Sequence, residues 1–355
     1  MVAKDTFFVG TYTRLGASGI YTCQMEDETG RLEEIAVAEG LEDPSFLTID
    51  PTGEHLYAVT ETADSAGEGT VCSFAIEIDG SLTLLNQQST GGADPCHLVV
   101  DATDSYVLVT NYIGGSVCML PISPDGRLGE RCDFIQHCGS SVNADRQEQA
   151  HAHSVTIDLS NSRAYVCDLG MDKILIYRIN AEGQCLDLES ELTVEADPGQ
   201  GPRHFDIHPS GKYCYVINEL GATVAAYSRD SESGKMLGKQ LISTLPDGWD
   251  GPKSTADIHV SRDGRFLYGS NRGHDSIAIF AIDALTGELS PMGHTSTRGK
   301  TPRNFALSPN NKFLIAANQD SGTLMVFAVA EDSGQLEFTG HQLELPGPVC
   351  IQFAP

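Results

Sequence analysis

Two arginines stand directly after a proline in this chain, in "GPRHF" at 201–205 and "TPRNF" at 301–305. Further titratable groups lie in comparable segments: His153 in "HAHSV", His204 beside Arg203, Glu219 in "INEL", Asp257 in "ADIH" and Arg272 in "SNRG". Guanidinium groups grip carboxylate or phosphate through paired N–H donors, and a carboxylate or an imidazole can carry a proton at neutral pH. Such a set suits a small anionic substrate that is bound and then attacked or rearranged. The background charge sharpens the point. Lys+Arg number 22 against 49 Asp+Glu, a net charge of −27, so clustered arginines stand against a field of opposite sign. The same field repels phosphate backbones and anionic bilayers, which argues against nucleic-acid and membrane partners.

What could bring these residues together is an internal repeat. The segments "SFLTIDPTGEHLYAVTET" (45–62), "CHLVVDATDSYVLVTNYI" (96–113), "HSVTIDLSNSRAYVCDLG" (153–170), "RHFDIHPSGKYCYVINEL" (203–220), "ADIHVSRDGRFLYGSNRG" (256–273) and "RNFALSPNNKFLIAANQD" (303–320) follow one template. Each is an alternating apolar strand, a turn rich in Pro, Asp, Asn and Gly, and a second apolar strand with a polar end. A third strand, a turn with Gly before Leu ("DGSL", "DGRL", "TGEL", "SGQL") and a fourth strand follow. Units of about fifty residues without helical periodicity belong to propeller blades. Six units are complete. The chain opens with three strands lacking a first ("TFFVGTYT", "GIYTCQME", "EEIAVAEG") and closes with a first lacking the rest ("GPVCIQFAP"). Joined, they make a seventh. The expectation is an all-β fold, a seven-bladed β-propeller of four-stranded antiparallel blades. Its ring is closed by the C-terminal strand on the N-terminal three, and residues 1–355 form a single domain.

In that fold the starts of the first strands and the ends of the second strands gather at one face. Taking Asp50, Asp101, Asp158, His208, Ser261 and Ser308 as equivalent, the first column is Ser45, Cys96, His153, Arg203, Ala256 and Arg303. The second is Thr60-Glu61, Asn111-Tyr112, Asp168-Leu169, Asn218-Glu219, Asn271-Arg272 and Asn318-Gln319. His153, Arg203, His204, Glu219, Asp257, Arg272 and Arg303 are thus expected on one rim. Taken singly, each could instead bond the backbone of a neighbouring blade. The Asn column reads as turn and inter-strand bonding. His151 and His153 lack a third ligand at metal spacing, so no metal is expected. His97 reads as a cap on the rim, His259 as a hydrogen-bond partner of Asp257, and Trp249 as either lid or packing. Ser154 lacks a nucleophile elbow. The ten cysteines read as reduced, buried small hydrophobes. No apolar run is long enough to span a membrane and the opening residues do not form a signal peptide, so the cytoplasm is the expected location.

The stretches "FVGTYT", "HAHSV", "GPRHFDIHPSGKYCYVINEL", "ADIHVSRDGRFLYGSNRG" and "TPRNFALSP" resemble the propeller-type 6-phosphogluconolactonases, which are similar in fold to the carboxymuconate-cyclising enzymes. The resemblance runs from about residue 6 to 355. It implies a cytoplasmic enzyme without cofactor that hydrolyses 6-phospho-D-glucono-1,5-lactone in the pentose phosphate route. Likeness to the cyclase branch assigns catalysis to His153, Arg203, Glu219 and Arg272, and their place on the same rim makes His204, Asp257 and Arg303 the expected substrate-binding residues. His153 or Glu219 would activate water, Arg203 would hold the oxyanion, and Arg272 with Arg303 would anchor phosphate. The alternative on the same site is a cyclising isomerase of the carboxymuconate type. A non-catalytic scaffold is the third reading, which a charged rim and 7% aromatic content disfavour.

Overall fold

A computed structural model describes residues 3–63 and 66–355. Its strands form seven separate sheets, each a blade. Blade 1 runs Pro348–Phe353, Lys4–Thr11, Gly19–Glu26 and Leu32–Glu39, so the last strand of the chain occupies the first place in the blade that opens it. The register pairs Phe7 with Phe353 and Val9 with Ile351. This is the closure expected of the ring, and the fold is a seven-bladed β-propeller.

The other blades follow in chain order. Their first and second strands are Leu47–Ile49 and His55–Thr60 in blade 2, Pro95–Val100 and Tyr106–Asn111 in blade 3, and Ala152–Ile157 and Arg163–Asp168 in blade 4. Blade 5 has Pro202–Ile207 and Tyr213–Asn218, blade 6 Ser254–Val260 and Phe266–Arg272, and blade 7 Pro302–Leu307 and Phe313–Asn318. Blade 4 departs from the four-strand pattern: a short fifth strand, Val194–Glu195, pairs with Lys173–Asn180.

The chain divides into two compact units, one of Met1–Ala17, Tyr21–Ala36 and Asp206–Ala354, the other of Ser18–Ile20, Val37–Phe205 and Pro355. Blades 2, 3 and 4 belong to the second; blades 6 and 7, with most of blades 1 and 5, belong to the first. Within each unit the core lies between successive blades. Tyr57, Val71, Leu98 and Val109 fill the space between blades 2 and 3, and Leu108, Val117, Val155 and Tyr177 that between blades 3 and 4. Ile217, Val224, Leu267 and Phe280 do the same between blades 5 and 6, and Tyr268, Ile279, Phe305 and Phe327 between blades 6 and 7. Alternation along each inner strand sends one set of side chains to each flank, so every blade is buried on both faces.

The repeat has a hydrogen-bonding reason. In all six units the anchor carbonyl accepts from the N–H three residues on, as Gly53 to Asp50, Asp104 to Asp101, Asn161 to Asp158, Gly211 to His208, Gly264 to Ser261 and Asn311 to Ser308. The donor is left-handed each time, with φ between 54° and 75°, which restricts it to Gly, Asn or Asp. The Gly-before-Leu turns serve the preceding blade. Tyr57, Tyr215 and Tyr268 donate their hydroxyls to the carbonyls of Gly126, Gly287 and Gly334 at 3.1, 3.0 and 2.9 Å. A Cβ at Gly287, whose φ is +72°, would lie 2.3 Å from the Tyr213 ring.

All ten cysteines are free thiols. Burial pushes the Cys23, Cys72 and Cys167 thiols up to about 12. Cys138 alone is exposed.

Candidate active site

The second unit holds a histidine cluster at the starts of its first strands. His153 is the second residue of blade 4's first strand, and Arg203 and His204 are second and third in blade 5's. All three are buried, Arg203 at 2% exposure. Removing a guanidinium from water costs several kcal/mol unless it is well matched, so its burial marks a place built around the charge. The His204 ring packs edge-on to both His153 and His97, with centroids 5.3 Å apart in each pair. Phe46 lies 4.1 Å from the His97 ring and 6.0 Å from His204. This is aromatic packing. Among the described residues no group of three or more His, Cys, Asp or Glu is arranged to hold a metal.

His151 of the "HAH" segment is engaged elsewhere. Its ring stacks on Tyr112 at 4.6 Å, Nδ1 meets the Tyr112 carbonyl at 3.0 Å and Nε2 meets Glu148 at 3.2 Å. Tyr112 in turn presents its ring to His153 at 5.4 Å, edge to face. Behind them is a chain that spacing did not disclose. Asp168 stands where other blades have Asn, and its Oδ2 takes His137 Nδ1 at 2.7 Å, while His137 Nε2 meets the Tyr177 hydroxyl at 2.9 Å. Asp168 Oδ1 accepts the backbone N–H of His151 at 2.9 Å, which fixes the chain two residues before His153. Segment 139–150 is strapped down in this structure. Ser141 Oγ donates to Asp172, Gln147 Nε2 to the Leu169 carbonyl, Gln149 Nε2 to the Ile113 carbonyl and Arg146 to the Tyr112 hydroxyl.

The first unit holds an ion pair. Glu219 follows the last residue of blade 5's second strand, and Arg272 ends blade 6's. Arg272 donates to Glu219 Oε2 at 2.9 Å, with side chains 15% and 5% exposed. Nε and one terminal nitrogen of the same guanidinium also donate to the Thr255 carbonyl at 3.0 and 2.6 Å. The arginine expected to anchor phosphate is therefore built into a clamp on Glu219. Arg303, half-buried at the second place of blade 7's first strand, lies 5.3 Å from the Tyr12 ring centroid, and Arg14 lies 3.6 Å from it. Tyr12 follows the end of Lys4–Thr11, so blade 1 supplies the column with a seventh member.

Asp257 is occupied by protein donors. Its Oδ2 takes Asn304 Nδ2 at 2.6 Å and His259 Nε2 at 2.9 Å, and its Oδ1 takes the Ile258 N–H at 3.0 Å. It braces blade 6 against blade 7, a geometry that argues against the expected contact with substrate. His259 makes the bond expected of it. Burial alone would lower its pKa, but Asp257 and then Asp206 outweigh that and raise it to about 9. Burial first, and Asp257 with it, raise Asp206 above the usual carboxylate range. Trp249 is packed in this structure: its ring meets His274 at 4.6 Å and Nε1 donates to the Pro252 carbonyl at 3.1 Å. In the Asn column, Asn111, Asn218, Asn271 and Asn318 each donate Nδ2 to the hydroxyl five residues on, at 3.0 to 3.4 Å.

The fold is a seven-bladed propeller, with a buried arginine and histidines at strand starts in one unit and an arginine-clamped glutamate at strand ends in the other. The Lactonase, 7-bladed beta-propeller family profile matches residues 6–353, and the chain belongs to that family. It is 35% identical over 353 residues to a 6-phosphogluconolactonase of Bacillus subtilis, covering 99% of each chain. With the 6-phosphogluconolactonase of Formosa agariphila it shares 35% identity over 309 residues, 85% of this chain and 86% of the other. The solved structure of a periplasmic gluconolactonase from Pseudomonas aeruginosa superposes with a TM-score of 0.94 at 31% identity, covering 99% of each chain.

Proposed function

We propose that the chain hydrolyses a sugar lactone, 6-phospho-D-glucono-1,5-lactone before others, releasing 6-phosphogluconate in the cytoplasm. The observation that carries this reading is the Glu219–Arg272 pair, a nearly buried carboxylate aimed by a guanidinium that is itself tied to the Thr255 carbonyl. The names of the Bacillus and Formosa relatives point to the phosphorylated lactone, and that of the Pseudomonas structure to a gluconolactone.

Water attacks the lactone carbonyl carbon as Glu219 or His153 takes its proton. Negative charge develops on the carbonyl oxygen, and a guanidinium already desolvated, that of Arg203, stabilises it without reorganising. Collapse of the tetrahedral intermediate breaks the bond from C1 to the ring oxygen. That oxygen takes up the proton and leaves as a hydroxyl, and the acid departs as its carboxylate. Arg272 keeps Glu219 in place, Arg303 takes the anionic end of the substrate, and His204 packs beside His153.

The test is the rate of hydrolysis above the spontaneous background, run in parallel on 6-phosphoglucono-1,5-lactone, glucono-1,5-lactone and a carboxymuconolactone, with and without chelator. Preference for the first is expected, with no effect of chelator. Turnover of the carboxymuconolactone alone would replace this reading with the cyclising one. Unchanged rates on replacing Arg203, Arg272 and Arg303 together would favour a scaffold.

A further inference from the structure

The hairpin after the second strand repeats a conformation in blades 3 to 7. Four residues beyond the column position, Gly115, Asp172, Ala222, Asp275 and Gly322 are all left-handed, with φ between 50° and 63°. Glycine, asparagine and aspartate suit such a place, and the two aspartates use it in the same way. Each sends its carboxylate out of the hairpin to the connection that leads into the next blade. Asp172 Oδ1 accepts the Gly201 N–H at 2.6 Å, and its Oδ2 accepts the Gly199 N–H at 2.7 Å and the Ser141 hydroxyl at 2.6 Å. Asp275 Oδ1 accepts the Thr301 N–H at 2.9 Å together with the Gly273 N–H of its own hairpin at 3.1 Å.

Gly201 and Thr301 are equivalent residues. Each is left-handed, with φ 66° and 59°, each precedes a proline, and the residue after that proline is Arg203 in one case and Arg303 in the other. Asp43, Asp94 and Gly347 are also left-handed before a proline, and of the five a β-branched threonine is the least suited to that conformation. The carboxylate holds that N–H, the proline locks the next φ, and the arginine Cα follows with little freedom. The coincidence is selective. In the blades whose hairpin carries Gly115, Ala222 or Gly322, the following first strand has His153, Ala256 or Val349 in place of arginine.

We infer that Asp172 and Asp275 are positioning residues for Arg203 and Arg303, setting the aim of the two guanidiniums through the backbone without touching substrate. The kinetic part of this inference rests on the roles proposed above for the two arginines. Displacing a polar group by about 1 Å costs roughly 10²-fold in rate, so a loosened segment is visible in turnover.

The experiment compares Asp→Ala and Asp→Asn at both positions in the full chain, with kinetics expressed per folded molecule and a crystal structure of each Ala variant. Asp172→Ala is expected to lower kcat roughly tenfold or more and Asp275→Ala to raise KM by a similar factor. Asparagine gives the sharper contrast. One oxygen of Asp275 takes both N–H bonds, so Asp275→Asn is expected to return KM to within about threefold of the parent. The donors on Asp172 use both oxygens, so an amide there faces an N–H with an N–H and Asp172→Asn recovers only part of the loss. In the crystals, the arginine of each Ala variant is expected to shift by about 1 Å or more. Ala variants with parental kcat and KM, losses that merely track the folded fraction, an Asp275→Asn no better than Ala, or arginines unmoved in the crystals would each overturn the inference. If the parent protein hydrolyses no lactone, the functional reading falls, and the crystal positions still decide this one.

Discussion

Replacing Glu219 by Gln separates a chemical role from a structural one. The carboxylate is 5% exposed and 2.9 Å from the Arg272 nitrogen, and glutamine preserves its volume and an acceptor oxygen at that distance while removing the charge. Truncating one partner of a buried ion pair costs about 3–5 kcal/mol because the other is left unmatched. A hydrogen bond to a charged group, retained here, is worth about 1.5–3 kcal/mol. The difference leaves Glu219→Gln destabilised by about 1–3 kcal/mol in urea, whereas Arg272→Ala loses about 3–5 kcal/mol. If Glu219 takes the proton of the attacking water, Glu219→Gln lowers kcat by about 10²–10⁴, with KM within a few-fold. The assay is initial-rate lactone hydrolysis, corrected for spontaneous opening, on samples shown to be folded. A kcat within threefold of the parent would remove Glu219 as the base and leave His153 in that place.

Lysine at Arg203 keeps the charge but not the fork, and kcat is expected to fall by roughly 10², measured on the same substrate. Against the effect of burial, Asp257 raises the His259 pKa from the ordinary 6.5 to about 9, so its stabilisation is complete below about pH 6.5 and is lost as pH rises through 9. Urea melts between pH 6 and 10 should show that decline, and His259→Gln should flatten it. Gly287→Ala places a Cβ against Tyr213 at a left-handed φ. About 1–2 kcal/mol of backbone strain and about 1–3 kcal/mol of overpacking give an expected loss of about 2–5 kcal/mol by denaturant titration.

The blades were legible because their turns demand particular residues. A left-handed donor after each anchor has to be Gly, Asn or Asp, and the Gly-before-Leu turn has to receive a tyrosine hydroxyl, so both wrote themselves into the spacing. The strand-end placement of Arg203, Glu219 and Arg272 was legible from the two columns. Phe46 and His137 escaped because their contacts run between blades and answer to no period. Asp168 takes the strand-end position that is asparagine in four other blades, and nothing in the spacing shows that a carboxylate there recruits a buried histidine. The protein partners of Arg272 and Asp257, Glu219 with the Thr255 carbonyl for one and Asn304 with His259 for the other, were not legible, because position in a column does not reveal which neighbour claims the side chain.

The thiols described above make this protein selectively labelable without engineering. Nine are wholly or partly enclosed, and those raised to about 12 supply almost no thiolate at neutral pH. A maleimide dye should therefore settle on Cys138, the residue after His137 and the start of the strap that ends at His151. Its fluorescence would follow any loosening of that strap as substrate arrives.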